Sequence, residues 1–412
     1  MEQLIECCAG LDVHRDTVVV TIRTPGPGRS RRVATRTFPT TAGGLDELGD
    51  WLVAEGVELA GMESTGVYWK PVFFALEDRI DQVWLLNAEH LRNVPGRKTD
   101  VADSMWIAEL VEHGLVRPSF VPPADIRALR DLTRYRRTLV EERTRAIQRL
   151  EKVMQDAGIK LTSVASTLLG KSGRAIIDAL LAGVSDPEVL AELAKGRLRS
   201  KVPALRQALA GEFRVEHHGL LVAQMLAHID FLDESLTAID TKIESAVTVH
   251  AAVIERLSTI PGVARKSAIA LIAEIGVDMS VFPTAAHLAS WAGICPGNNA
   301  SGGKRRAGRT RHGSVSLKTV LTEAAQAAAR TKGTYLAAHH ATVRGRRGRF
   351  KAIGATRHDL LIAYWHVVHD EVTYRELGAD WAVRRNSPEH QLNRLIRQIE
   401  RLGKTVTITD AA

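Results

Sequence analysis

Three strand-like runs precede the first helix-like run of this 412-residue chain, and that order narrows the possible folds more than any other feature. LIECCAGLDV, TVVVTIR and RRVATRTF are short and rich in apolar and β-branched residues. Only from Ala42 to Glu55 do apolar positions space out three and four apart, as on a helix. A strand-like ELAGMES, a helix near Tyr68 to Leu76 and a strand-like QVWLLN follow. A plain doubly wound sheet alternates strands and helices from its start, so it does not begin this way. Three strands, helix, strand, helix, strand is how a ribonuclease-H-like fold opens, and we expect one over residues 1–120.

The remainder reads as helix. DIRALRDLTRYRRTLVEERTRAIQRLEKVMQDAG has apolar residues at three-four spacing over about nine turns. LVAQMLAHIDFLDESLTAIDTKIESAV is a second long amphipathic run. The two pair as an antiparallel coiled coil, within the chain or with another subunit, or pack as a plain bundle. The expected organisation is therefore a helical, coiled-coil linker region at 121–254, a mainly helical C-terminal domain at 255–385 and a tail at 386–412. The basic RGRRGRFK is expected as a loop, and the end of the chain as a polar helix without functional signal.

Four acids in the first region point to chemistry. Asp12 ends the first strand-like run and Glu63 the fourth. An ionised carboxylate is costly to desolvate, so acids at two strand ends mark a solvated edge where cations can be held. In KTDVADSMWIAELV, Asp100 and Asp103 lie three apart at a helix start. They share one face near the positive helix end, although capping alone would place them there too. In a ribonuclease-H-like sheet the first and fourth strands are neighbours, so the four acids converge. Hard divalent cations take such oxygen ligands, and a pair of them about 4 Å apart serves phosphodiester displacement. Asp16, Glu89 and Asp131 read as surface acids, and Lys98 as a loop lysine. Sugar kinases and actin-like ATPases need glycines just after the first strand's Asp, where this chain has VHRD.

The second half points to polyanions. LSTIPGVARKSAIALIAEIG has the form helix, turn, helix. Gly262 permits the tight turn, and the next helix's first amides, with Arg265 and Lys266, suit a phosphate, as in a helix-hairpin-helix. Lys304, Arg305, Arg306, Arg309 and Arg311 follow in a glycine-rich loop without acids, and Arg344, Arg346, Arg347, Arg349 and Lys351 form a second cluster. Such clusters neutralise phosphates. Ser301 stands between Asn298, Asn299, Gly302 and Gly303. Guanidinium groups around it would favour its deprotonation and stabilise a pentacoordinate phosphorane, or the hydroxyl simply donates a hydrogen bond to a phosphate. Ser314 and Ser316 are assigned to capping the next helix.

No apolar run approaches the roughly 18 residues of a membrane span, and MEQLIECCAG lacks a signal-peptide pattern. A cytoplasmic protein is expected. Cys7, Cys8 and Cys295 have no zinc-binding or disulfide-framework spacing and read as buried thiols. The net charge of +8 tilts only weakly towards polyanionic partners.

GLDVH, MESTGVYW, KTDVAD, a long helical middle, IPGV, WAGICP and ASGGKRRAGRTRHG, in that order, resemble the DEDD-type insertion-sequence transposases, the bridge-RNA-guided serine-containing recombinases. The likeness covers roughly residues 5–115 and 255–332. It implies a RuvC-like domain whose acids correspond to Asp12, Glu63, Asp100 and Asp103, holding Mg²⁺ or Mn²⁺, and a C-terminal transposase domain whose catalytic serine corresponds to Ser301. In that family the two domains, from different subunits, assemble a composite site on DNA, guided by a structured RNA. The resemblance thus implies donor and target DNA, a guide RNA and a homo-oligomer, dimer or tetramer, as partners. The alternatives are a metal-dependent junction-resolving nuclease, in which water attacks and Ser301 only binds phosphate, and a non-catalytic nucleic-acid-binding protein.

Overall fold

A computed structural model of the chain describes residues 4–28, 30–64, 66–87, 103–295, 300–301, 304–305, 310–311, 313–381 and 388–408. Asp100, Lys98, Glu89, Asn298, Asn299, Gly302, Gly303, Arg306 and Arg309 lie outside the described residues. The chain divides into two compact units, Met1–Val121 and Pro122–Ala412.

The first unit is built on one mixed sheet. Strands β1 (Cys8–Val13), β2 (Thr17–Pro25) and β3 (Arg31–Pro39) form an antiparallel meander. Strand β4 (Leu59–Glu63) then pairs parallel to β1, β5 (Gln82–Leu86) parallel to β4, and the short β6 (Pro118–Ser119) antiparallel to β5. The strand order is β3-β2-β1-β4-β5-β6, so the first and fourth strands are neighbours. Both are apolar on both faces, the pattern of strands covered on each side. Helices α1 (Ala42–Ala54) and α2 (Trp69–Leu76) cover one face, where Leu11, Val20, Met62, Leu48 and Leu76 share a core. Helix α3 (Asp103–Glu112) covers the other, packing Ile107, Leu110 and Val111 against Cys8, Leu59 and Leu86. The Cys8 thiol donates to the Ala108 carbonyl at 3.5 Å.

Polar contacts hold α3 at both ends. Near its start, the Ser104 and Thr21 hydroxyls are 2.8 Å apart. At its end, Glu112 is fully buried and meets Arg23 at 2.7 Å and Arg31 at 2.6 Å. A buried carboxylate needs such cationic partners to remain charged.

The second unit is mostly helical. Helix α4 (Ala124–Asp156) is followed by the short α5 (Lys171–Leu181), α6 (Pro187–Glu192) and α7 (Val202–Ala208), and then by the long α8 (Leu220–Ala246). The two long helices pair within the chain and antiparallel: Arg136 meets Asp240, and seven residues further along α4, Arg143 meets Asp233, seven residues back along α8. At the far end of α4, Leu150 and Met154 share a core with Ile176, Leu190, Leu205 and Leu226. The segment between the long helices is folded onto their ends.

After α9 (Ala251–Leu257), α10 (Arg265–Ile275) and α11 (Ala285–Trp291) come the two-residue strands β7 (Ala300–Ser301) and β8 (Lys304–Arg305). Helices α12 (Val315–Ala328), α13 (Tyr335–Arg347), α14 (Arg349–His369) and α15 (Pro388–Glu400) complete the unit. The basic stretch expected as a loop is helix on both sides of Gly348, because arginine is a good helix former and a single glycine makes the turn. Helix α15 is not uniformly polar: Leu392, Leu395 and Ile399 recur at helical spacing, exposed. Among the described residues, no helix is long and apolar enough to cross a membrane.

Candidate functional site

Two glycines determine where the acids of the first unit stand. Gly10 on β1 and Gly61 on β4 face each other across the strand pairing. A Cβ on Gly10 would lie 2.2 Å from the Ala108 amide nitrogen and the Ser104 carbonyl oxygen. One on Gly61 would lie 2.6 Å from Val111 Cγ2. Helix α3 therefore beds directly on strand backbone, an approach only glycine permits. Side chains alternate along a strand, so Asp12 and Glu63, each two residues beyond its glycine, leave the sheet on this same face. Both lie at the C-terminal ends of parallel strands, and α3 begins beside them with Asp103 as its first residue.

The corner is acidic and faces a positive helix end, which favours carboxylates. Asp12 contacts His14, Oδ2 to Nε2, at 3.2 Å. Among the described residues, no lysine or arginine is ion-paired with Asp12 or Glu63. Glu112, at the other end of the same helix, differs in meeting two arginines. The donors are all hard oxygens, which suits Mg²⁺ or Mn²⁺. Asp12, Glu63 and Asp103 do not close into a tight cluster with ligand atoms within 4.8 Å of one another. His14 was not singled out from the sequence, because a histidine two residues past a strand acid gives no signal of its own. Asp16, paired at 3.5 Å with Arg15, is a surface acid.

In the second unit, Ser301 lies on β7 and its backbone pairs with Lys304 on β8, as Ala300 pairs with Arg305. The two residues between are glycines. The ends of the loop are brought together: a Cβ on Gly313 would stand 2.5 Å from the Ala292 carbonyl oxygen. Ser314 caps α12 by accepting from the Leu317 amide at 3.1 Å and donates to Glu274 at 2.8 Å. Ser316 lies inside α12 instead of capping it. Glu274 in turn takes two hydrogen bonds from Arg134, at 2.7 and 2.9 Å. Burial alone would push the Glu274 carboxyl up, but Arg134, Ser314 and Arg130 outweigh it and hold it below the usual range. Arg130 donates to the carbonyls of Ala273 at 3.0 Å and Glu274 at 2.7 Å. The serine loop is thus anchored through Glu274 to the long helix α4.

Lys318 and Arg357 sit at the foot of this loop. Lys318 donates to the Arg311 carbonyl at 2.7 Å, and burial together with Arg357 lowers its pKa. Burial lowers that of Arg357 as well. Among the described residues, neither is paired with a carboxylate. Two adjacent, partly desolvated cations without an acid favour a bound anion. Sequence reasoning missed them because they lie 39 positions apart on two helices. Arg311 is exposed and lies 3.5 Å from the Ser290 hydroxyl.

The IPGV turn meets internal partners. Gly262 has φ of 86°, and a Cβ on it would lie 2.4 Å from the Ala324 carbonyl oxygen, so the turn packs against α12. Arg265 pairs with Glu244 at 2.6 Å and Lys266 with Asp240 at 3.6 Å. A phosphate at this helix start would compete with the acids of α8.

Asp156, His217 and His218 place three potential ligand atoms within 4.8 Å of one another, yet the geometry opposes a metal. His218 Nδ1 accepts the Arg214 amide hydrogen at 3.0 Å, which leaves the neutral ring's proton on Nε2, the nitrogen 3.5 Å from Asp156. A ligating histidine needs its lone pair there and donates through its other nitrogen. The buried His218 instead closes the turn that starts α8.

With this geometry established, comparison with known proteins places the chain. Residues 9–159 match a family model described as a transposase of the DEDD IS110 type, and residues 254–341 match one described as the transposase IS116/IS110/IS902 family. A probable family 20 transposase of Pseudomonas aeruginosa is 27% identical over 238 residues, 58% of this chain and 61% of that protein. The match therefore spans under two thirds of this relative. The Thermus thermophilus RuvC structure aligns over 27% of this chain and 99% of its own, at 13% identity and a TM-score of 0.22, too slight a likeness to carry a functional argument.

Proposed function

Because the chain belongs to the IS110-type transposases, we propose that it cuts and rejoins the DNA of an insertion element. Donor and target DNA are its substrates. Ser301 Oγ attacks a phosphodiester: the Oγ–P bond forms, one P–O ester bond breaks, the hydroxyl proton is released and the departing DNA oxygen takes up a proton. The phosphoserine link conserves the ester bond energy, and attack on it by a DNA hydroxyl restores the serine and rejoins a strand. Arg305, Arg306 and Arg309, with Lys318 and Arg357, offset the charge that develops on the phosphoryl oxygens. Lys304 and Arg311 hold flanking phosphates, and Arg265 and Lys266 join them only by leaving Glu244 and Asp240.

Asp12, Glu63, Asp100 and Asp103 are the residues that would hold Mg²⁺ or Mn²⁺. When bound, such an ion supplies charge stabilisation at phosphate oxygens and eases deprotonation of a hydroxyl. Asp12 and Glu63 leave the sheet side by side because of the paired glycines, and the start of α3 presents Asp103 to them. That arrangement, with no lysine or arginine paired to Asp12 or Glu63 among the described residues, is the observation that most supports the reading. A structured guide RNA and assembly into a dimer or tetramer belong to the same proposal.

Trapping a covalent protein–DNA adduct tests it. Wild-type protein with donor and target DNA and Mg²⁺ should yield an adduct that is lost both in Ser301→Ala and in Asp12→Ala. Strand cleavage that persists in Ser301→Ala without an adduct would identify a water-using junction nuclease. Full recombination by Asp12→Asn would remove the metal site from the reaction.

A further inference from the structure

The corner between α13 and α14 is used by neither the acidic corner nor the serine loop. Helix α13 ends at Arg347, Gly348 turns the chain with φ of 83°, and α14 begins at Arg349. All eight residues from Arg344 to Lys351 are exposed. Arg344, Arg346, Arg347, Arg349 and Lys351 crowd this turn, and among the described residues none of them is ion-paired with a carboxylate. No aspartate or glutamate occurs between Glu323 and Asp359, so neighbouring sequence supplies no counter-charge. The arginines of α4 behave differently: Arg134, Arg136, Arg137 and Arg143 each meet an acid.

Phe350 stands in the middle of these cations and is 87% exposed, more than any other large apolar side chain among the described residues. Its ring forgoes the burial that an aromatic side chain ordinarily gains. Gly345, inside α13 and flanked by arginines, has no atom within 4 Å of where a Cβ would stand. Glycine inside a helix costs stability against alanine, and no contact within the chain requires it here. It leaves bare backbone that a phosphodiester can approach closely.

We propose that this corner is a binding site for single-stranded DNA, in which Phe350 stacks on an unpaired base while the arginines and Lys351 hold the phosphates on either side. One isolated ring ringed by cations matches the face of a single base between two phosphates. A protein partner would call for an apolar surface with several buried anchors. The choice of DNA over RNA rests on the strand-exchange reaction proposed above, which exposes unpaired DNA. Binding at the corner involves neither Ser301 nor the carboxylates.

The test uses the full chain without divalent ions, so that no cleavage occurs. The probes are a single-stranded DNA oligonucleotide carrying a central 2-aminopurine, its RNA counterpart and a fully paired DNA duplex. Wild-type protein should quench the 2-aminopurine on binding. Phe350→Ala should abolish the quench and weaken single-strand DNA binding by about 5- to 100-fold, with duplex affinity unchanged, and Phe350→Trp should restore both. The double substitution Arg346→Gln with Arg347→Gln should flatten the logarithmic salt dependence by about 1.4, roughly 0.7 per phosphate contact on a single strand. Unchanged single-strand binding by Phe350→Ala, or an equal loss on the duplex, overturns the stacking site. A loss confined to the RNA probe overturns the DNA assignment. The adduct assay runs separately with Phe350 intact, so failure of the corner and failure of the strand-transfer reading are told apart.

Discussion

Replacing Gly10 with alanine tests how the acidic corner is assembled. The added methyl would lie 2.2 Å from the Ala108 nitrogen and the Ser104 oxygen, where ordinary contact begins at 3.4 Å. Both are backbone atoms, so no rotamer change relieves the clash, and α3 must rise by over an ångström. Ile107, Leu110 and Val111 hold this helix on the sheet and are all buried. Each such burial stabilises by about 1.5–3 kcal/mol, and a gap of about 0.5–1 Å forfeits a quarter to a half of the dispersion well. The expected cost is roughly 1–4 kcal/mol, within the range of overpacking. Gly61→Ala is a different case, because its methyl meets Val111 Cγ2, the end of a side chain, at 2.6 Å. Val111→Ala should relieve Gly61→Ala with a coupling of at least about 1 kcal/mol, and should not relieve Gly10→Ala. Urea unfolding measures the stability, and amide hydrogen exchange over residues 103–112 reports the helix locally. Adduct formation should fall in Gly10→Ala although Ser301 is untouched. A Gly10→Ala protein with wild-type stability and unchanged protection of α3 would refute the bedding of this helix on the paired glycines.

Four further outcomes follow from the second unit. Glu274→Gln should cost about 2–3 kcal/mol at neutral pH, less than a fully buried pair because Arg134 is 43% exposed. The Glu274 pKa is held below 4.5, so its contribution is present above that value and is lost as pH falls through the lower folded-state value; the substitution should flatten that acid limb in a urea titration, and an unchanged limb would count against the hub. His339 is raised above 6.5 by its hydrogen bond to Asp359, so its contribution is present below 6.5 and is lost as pH rises through the folded-state value. That contribution should be under about 1 kcal/mol, since the ring is a third exposed, and His339→Gln should remove the slope between neutral and mildly alkaline pH. Glu244→Gln releases Arg265 and should steepen the salt dependence of duplex binding by about 0.9 if that arginine reaches a phosphate; an unchanged slope removes it from the interface. Zn²⁺ should not raise the unfolding midpoint through Asp156, His217 and His218, and a rise abolished by His217→Ala would reverse the tautomer argument.

What the sequence made legible was local or periodic. Three strand-like runs before a helix led to the mixed sheet because alternation and β-branching act within a few residues. Asp12 and Glu63 stood out because a carboxylate at the end of an apolar strand is costly without a purpose. The roles of Gly10 and Gly61 were not legible, since their meaning depends on the helix Asp103–Glu112, far downstream of both, crossing over their pairing. Arg265 and Lys266 read as free cations because their acids, Glu244 and Asp240, lie on another helix. RGRRGRFK read as a loop because two glycines outweighed helix-forming arginines, and only Gly348 proved to break the helix. Charge shows the same limit most clearly. The chain carries a net +8, and residues 324–358 hold eight lysines and arginines with no aspartate or glutamate, so the rest of the chain balances to zero. Composition gives the surplus but not its place. Where arginines of one helix face acids of another, as between α4 and α8, folding pairs them and little field remains for a ligand. Where 35 residues pass without an acid, folding has no neighbouring counter-charge to bring in. The unpaired cations, Arg357 beside Lys318 and the five around Phe350, lie in the two longest stretches without a carboxylate, residues 279–322 and 324–358, and on the reading proposed above they are left for phosphate.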